Sequence, residues 1–124
     1  MFNEKVLALF DKPKNVGIIK CADGVGESGN VENGQIVKIY IKVQDEIIQE
    51  AKFKAYGGIV AIAGASVLTN KIKDLSIDKA RELTCEDLAE ELEISAEDYT
   101  NELELCIEAL ISALSEYYKN QIID

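Results

Sequence analysis

Between residues 36 and 68 the period of the apolar positions changes twice, and the change predicts a hairpin that feeds a central helix. In residues 36–43, Val37, Ile39, Ile41 and Val43 share one face, with Lys38, Tyr40 and Lys42 on the other. A period of two marks a half-buried strand. Gln44-Asp45-Glu46 is a polar break of hairpin length. Residues 47–56 alternate again, with Ile47, Ala51, Phe53 and Ala55 opposed to Glu50, Lys52, Lys54 and Tyr56. Gly57-Gly58 then interrupts the period and permits a tight corner. Residues 59–68 are apolar at nearly every position, which predicts a helix covered on most sides.

The flanking segments are read from the same patterns. Asn3 can cap a short first helix carrying Val6, Leu7 and Phe10, and Pro13 ends it by pushing its predecessor out of the helical region. Residues 14–35 hold five of the eight glycines and predict loop, with an edge strand near residues 28–32. Ser76 starts a short helix with Ile77, Ala80 and Leu83 inward. Thr84 with Asp87 predicts a capping box for a helix over 85–93. Ser95 with Asp98 offers a similar start for the last helix. There Leu103, Cys106, Ile107, Leu110, Ile111, Leu114 and Tyr117 or Tyr118 recur at amphipathic spacing. The order predicts an α+β fold: a small three-stranded antiparallel sheet with helices packed on one face and a long C-terminal helix. At 124 residues, with no linker or repeat, residues 1–124 are expected to form a single domain.

Charge and composition narrow the chemistry. Twenty-three acidic residues against thirteen basic give a formal charge of −10, which disfavours nucleic acid and anionic membrane as partners. No signal peptide or spanning segment is expected. Three widely spaced cysteines, Cys21, Cys85 and Cys106, form no CxxC pattern and suit a reducing, cytoplasmic setting. There is no histidine, so Ser-His-Asp and Cys-His nucleophile systems are excluded, and no enzyme activity is expected.

Individual motifs mostly have plain readings. Gly24-Val25-Gly26-Glu27-Ser28-Gly29 matches GxGxxG but lacks the preceding strand and following helix of a dinucleotide fingerprint, so a mobile glycine-rich loop is the better account. Asn33-Gly34 predicts a tight turn. Cys106 sits on an apolar stripe and acts as a small hydrophobe. Cys85, at a helix start, is the one thiol with a local reason for a lowered pKa. The acidic run over 86–93 lacks the spacing of a calcium loop and reads as a solvated helix face.

Glu4-Lys5-Val6, Pro13-Lys14-Asn15-Val16-Gly17, Phe53-Lys54-Ala55-Tyr56-Gly57, Ser76-Ile77-Asp78 and Asp87-Leu88-Ala89-Glu90-Glu91-Leu92 together resemble the NifU/IscU-like scaffolds of iron–sulfur cluster assembly, in order and along essentially the whole chain. The resemblance implies the same α+β fold. It also implies a site where the family holds a [2Fe–2S] cluster, or zinc, on three cysteines near an aspartate. Those positions are Asn33, Gly58 and Asn101 or Glu102, with Gln35 in place of the aspartate. The segment 94–98 stands where the family has a Leu-Pro-Pro-Val-Lys chaperone motif.

Clusters are held by thiolates, and amides or a bare glycine cannot replace them. The expectation is therefore a scaffold-like protein with no cofactor: a non-catalytic binding or regulatory paralogue that docks a cysteine desulfurase or an iron–sulfur acceptor. Two alternatives stand beside it. One is a genuine scaffold for [2Fe–2S], iron or zinc with non-standard ligands such as Glu102, Asp87 or a Cys85 shared across a dimer. The other is a small-molecule binder in the former ligand pocket.

Overall fold

A computed structural model describes residues 2–30 and 32–123, and all but the side chain of Ile123 among them. Asn3 accepts a hydrogen bond from Val6 N and caps α1, Glu4–Asp11. Three strands follow, β1 (Gly24–Asn30), β2 (Gln35–Gln44) and β3 (Ile47–Tyr56), antiparallel in the order β1-β2-β3. After them come α2 (Ile59–Ile72), α3 (Ile77–Arg81), α4 (Cys85–Leu92), a 3-10 turn (Ala96–Tyr99) and α5 (Thr100–Ile123). This is the α+β arrangement that the pattern predicts.

The core lies between one sheet face and the helices. Val37, Ile39, Ile41, Ile48, Ala51 and Phe53 meet Val60, Leu68 and Ile72 of α2 and Leu103, Leu110 and Leu114 of α5, all essentially water-free. Helix α2 is buried almost all round, as its uninterrupted apolar run requires. The β2–β3 connection is the two-residue turn Asp45-Glu46, with both residues left-handed at φ 54° and 64°. That conformation matches the twist of the flanking strands. The capping box of α4 forms in both directions between Thr84 and Asp87.

Several expectations are corrected. The edge strand begins four residues earlier than predicted, and the GxGxxG segment is that strand rather than a loop. The reason is contact with α5. A Cβ on Gly26 would lie 2.1 Å from Ala113 N and 2.3 Å from Ala109 O, and one on Gly24 would lie 2.3 Å from Ala113 O. Only glycine lets the strand lie flush on the helix backbone. Val31, at the end of the predicted strand, lies outside the described residues.

Ile48, not Ile47, points into the core, because the ladder slips at Lys42/Val43: Lys42 pairs with Glu50 and Val43 with Ile48. The odd residue, Gln49, is a bulge that resets the phase of the strand. Ser95 makes no side-chain cap, and its segment winds into the 3-10 turn instead. On α5, Ala109 and Ala113 are buried while Ile111 is 42% exposed, so the inward stripe runs through small residues under β1.

Candidate functional site

The β1–β2 turn, the α2 N-terminus and the first turns of α5 converge at one end of the molecule. A cavity of about 420 Å³ there is lined by Gly29, Asn33, Gln35, Asn101, Glu104, Leu105 and Glu108. Its walls follow from local geometry. Gly29 and Gly34 take positive φ, 93° and 73°, on either side of the turn. Asn33 N donates to Asn30 Oδ1 at 2.7 Å and fixes the turn. Gln35 then opens β2. On α5 the wall residues recur at i, i+3, i+4 and i+7 from Asn101, which is one helical face.

Gln35 is the centre of the site. Its Oε1 is buried and has no hydrogen-bond partner among the described residues. A Cβ on Gly58 would lie 3.7 Å from that oxygen, and one on Gly57 would lie 2.8 Å from Gln35 Cγ. Gly58 is the N-cap of α2 and offers no side chain to its free amides. Gln35 therefore crowds the glycine corner and leaves an unsatisfied acceptor beside a helix N-terminus, an arrangement that normally costs free energy.

Of the residues singled out in the sequence, Asn33, Gln35 and Asn101 thus line one cavity, with Gly58 against it. Glu102, the alternative to Asn101, is not among the residues lining it. The sequence reading missed Glu104 and Glu108; the helical period from Asn101 was the signal that could have found them. Asp87 is spent on the Thr84 capping box. Among the described residues, no three His, Cys, Asp or Glu side chains gather as a metal-binding group.

The local reason for a lowered pKa at Cys85 does not prevail. Burial pushes this thiol up, and the nearby carboxylates Glu104, Glu86 and Glu108 push in the same direction. They outweigh the attraction of the helix N-terminus for a thiolate. Cys106 is fully buried, with its Sγ against Ala61 O at 3.5 Å, and its pKa is pushed up to about 12, chiefly by burial. Cys21 is exposed. Iodoacetamide at mildly alkaline pH is therefore expected to modify Cys21 first and Cys85 slowly. Cys106 should react only after denaturation, because the thiolate is the attacking species. Peptide mapping over time checks the order, and early labelling of Cys106 would contradict the packing of α5 on α2.

The sequence and the fold both recur in known proteins. The model of the NifU-like N-terminal domain matches residues 1–124. The chain belongs to the NifU-like N-terminal domain family. An iron–sulfur cluster assembly scaffold protein IscU of Archaeoglobus fulgidus is 38% identical over 125 residues, covering 100% of this chain and 82% of that protein. One of Escherichia coli K12 is 37% identical over 120 residues, covering 94% and 93%. A NifU-like protein of Brucella abortus shares the fold with a TM-score of 0.77 at 15% identity, covering 94% of each chain.

These relatives overturn the expectation of no cofactor. Family members 34–38% identical to this chain are named as iron–sulfur cluster assembly scaffolds, and that points to a cluster rather than to none. The donors in this cavity are nevertheless amides and carboxylates. Iron–sulfur clusters are held by thiolates, so these side chains by themselves do not fit the group.

Proposed function

We propose that this chain serves iron–sulfur cluster assembly as a scaffold-type binding protein, with residues 1–124 acting as one domain. On this reading it docks a cysteine desulfurase or a related assembly partner at the end that carries Asn33, Gln35, Gly58 and Asn101. It binds rather than turns over a substrate, and the cluster is the cargo of the machinery it joins. The single observation that supports this is the gathering of these positions around one cavity in the fold of the scaffold family. The three free cysteines fit a reducing compartment, so we place the protein in the cytoplasm. Among the described residues no helix is long and apolar enough to cross a membrane.

The test is co-purification with the cysteine desulfurase of the same organism. A complex that forms at micromolar concentration and is lost on Asn101→Arg supports the proposal. No detectable complex at tens of micromolar, with the protein folded by circular dichroism, overturns it.

A second reading is favoured by Glu104 and Glu108, which line the same cavity as Gln35 with its unpartnered oxygen. Oxygen donors suit hard cations, so the cavity would take iron as an ion before any sulfide is added. Anaerobic equilibration with ferrous iron decides between the two: bound iron lost on Glu104→Gln/Glu108→Gln favours the second.

A further inference from the structure

The sheet has a second face, turned away from the helices, and its charge is unlike that of the rest of the molecule. Residues 82–118 contain twelve of the 23 acidic residues and none of the thirteen basic ones. The remainder therefore carries thirteen bases against eleven acids. Four of those bases, Lys38, Lys42, Lys52 and Lys54, sit on the open side of β2 and β3, at positions that alternate with the buried core residues.

The register sharpens the point. Lys38 lies directly opposite Lys54, and Tyr40 lies opposite Lys52. Lys42 has Asp23 at 3.9 Å and Lys52 has Glu50 at 3.7 Å. Neither Lys38 nor Lys54 has an acidic partner within ion-pair distance among the described residues, although Glu27 stands across from Lys38 on β1. Like charges directly opposite in an antiparallel pair are destabilising. The pair therefore weakens the sheet; Glu27 offsets part of this for Lys38, while Lys54 has no acidic residue paired with it in the sheet among the described residues.

Around this pair the surface is shaped and partly apolar. Glu27, Ile36, Lys38, Lys54, Ala55 and Tyr56 line a depression of about 250 Å³. Tyr56 is 69% exposed, and Lys38 Nζ lies 5.6 Å from the Tyr40 ring centre. An exposed tyrosine beside apolar side chains is the kind of residue that anchors a protein interface, and the lysines around it supply charge complementarity rather than packing.

We propose that the open face of the sheet, centred on Lys38, Lys54 and Tyr56, docks an acidic protein segment. Charge complementarity selects the partner, since carboxylates placed between Lys38 and Lys54 would relieve their repulsion. Nucleic acid is the poorer fit, because Ile36, Ala55 and Tyr56 offer a packing surface for side chains that a phosphate backbone does not use. The inference does not rest on the amide-lined cavity, which lies near the same end of β2 but is walled by the β1–β2 turn and α5, whereas this depression is lined by strand residues alone.

The test uses poly-L-glutamate as the probe and isotope-labelled full-length protein, read by amide chemical shifts at low and at physiological salt. Shifts are expected at residues 36–40 and 52–56, and they should weaken as salt rises. The double variant Lys38→Glu/Lys54→Glu should weaken binding at least tenfold. The single variant Lys54→Glu should also weaken it while holding or raising the melting temperature, because it replaces a repulsive pair by an attractive one. Three outcomes would each overturn the proposal: shifts centred elsewhere, unchanged affinity in the double variant, or equally tight binding of duplex DNA.

Discussion

Replacing Asn33, Gly58 and Asn101 by cysteine should turn this protein brown on anaerobic incubation with iron and sulfide. The expected readout is visible charge-transfer absorption with stoichiometric bound iron, far above the level reached by the parent chain. The argument is geometric. Asn33 and Asn101 line one cavity, and Gly58 faces the Gln35 side chain that forms its wall. Gly58 has φ −72° and ψ 165°, an ordinary extended conformation, so a side chain there is not strained. The nearest atom to the new Cβ would be Gln35 Oε1 at 3.7 Å, which is normal contact. A thiolate at that position also faces the free amides of the α2 N-terminus, which favour it. Gln35→Asp, added to the triple variant, would shorten the crowding side chain. Each double variant leaves one ligand missing and should bind less. A folded triple variant that stays colourless would show that these three positions do not form a cluster site in this chain.

The same residues show what could be read from the sequence and what could not. Periodicity is enough for β2, most of β3 and α5, because each buries an apolar face against the core, and the unbroken apolar run is enough for α2, which is covered almost all round. It is enough for the α4 start as well, where Thr84 and Asp87 act locally. It fails for β1, since Gly24, Gly26 and Gly29 carry no strand signal of their own; Gly24 and Gly26 are glycines because α5 stands where side chains would be, and Gly29 because its φ is 93° and the Gln35 backbone lies where a Cβ would sit. It fails at Ile47 because one bulged residue, Gln49, inverts the alternation without leaving a mark on composition. The raised pKa of the Cys85 thiol has no local signal, because it comes first from burial and then from carboxylates that include Glu104 and Glu108 of another helix.

At the candidate site, Asn33, Gln35, Gly58 and Asn101 have no chemistry that singles them out, and only family resemblance pointed to them. Their convergence on one cavity needed the fold. Expecting no cofactor went too far from the side chains alone, since the scaffolds related to this chain carry the cluster in their very names.

The strongest destabilisation should come from a single methyl group on Gly26. Alanine there would put Cβ 2.1 Å from Ala113 N, 2.3 Å from Ala109 O and 2.7 Å from Ser112 C. All three are backbone atoms in the middle of α5, so no flexible side chain can move aside. Either β1 lifts from the helix or the helix shifts, and both disturb the buried faces of Ile39 and Leu110. Overpacking of a well-filled core typically costs about 1–3 kcal/mol, and contacts this short place Gly26→Ala at roughly 3 kcal/mol or beyond. Against a total stability on the order of 10 kcal/mol, that is a fall of about 10 °C in melting temperature.

Two controls separate the mechanism from a general loss of strand stability. Glu27→Ala is exposed and should change little. Gly34→Ala meets nothing within 4 Å and should cost only about 1 kcal/mol, for its φ of 73°. Denaturant unfolding of the three variants gives the order directly. If Gly26→Ala proved no worse than Gly34→Ala, β1 could not lie flush on α5. The glycine spacing of residues 24–29 would then need an explanation other than close packing.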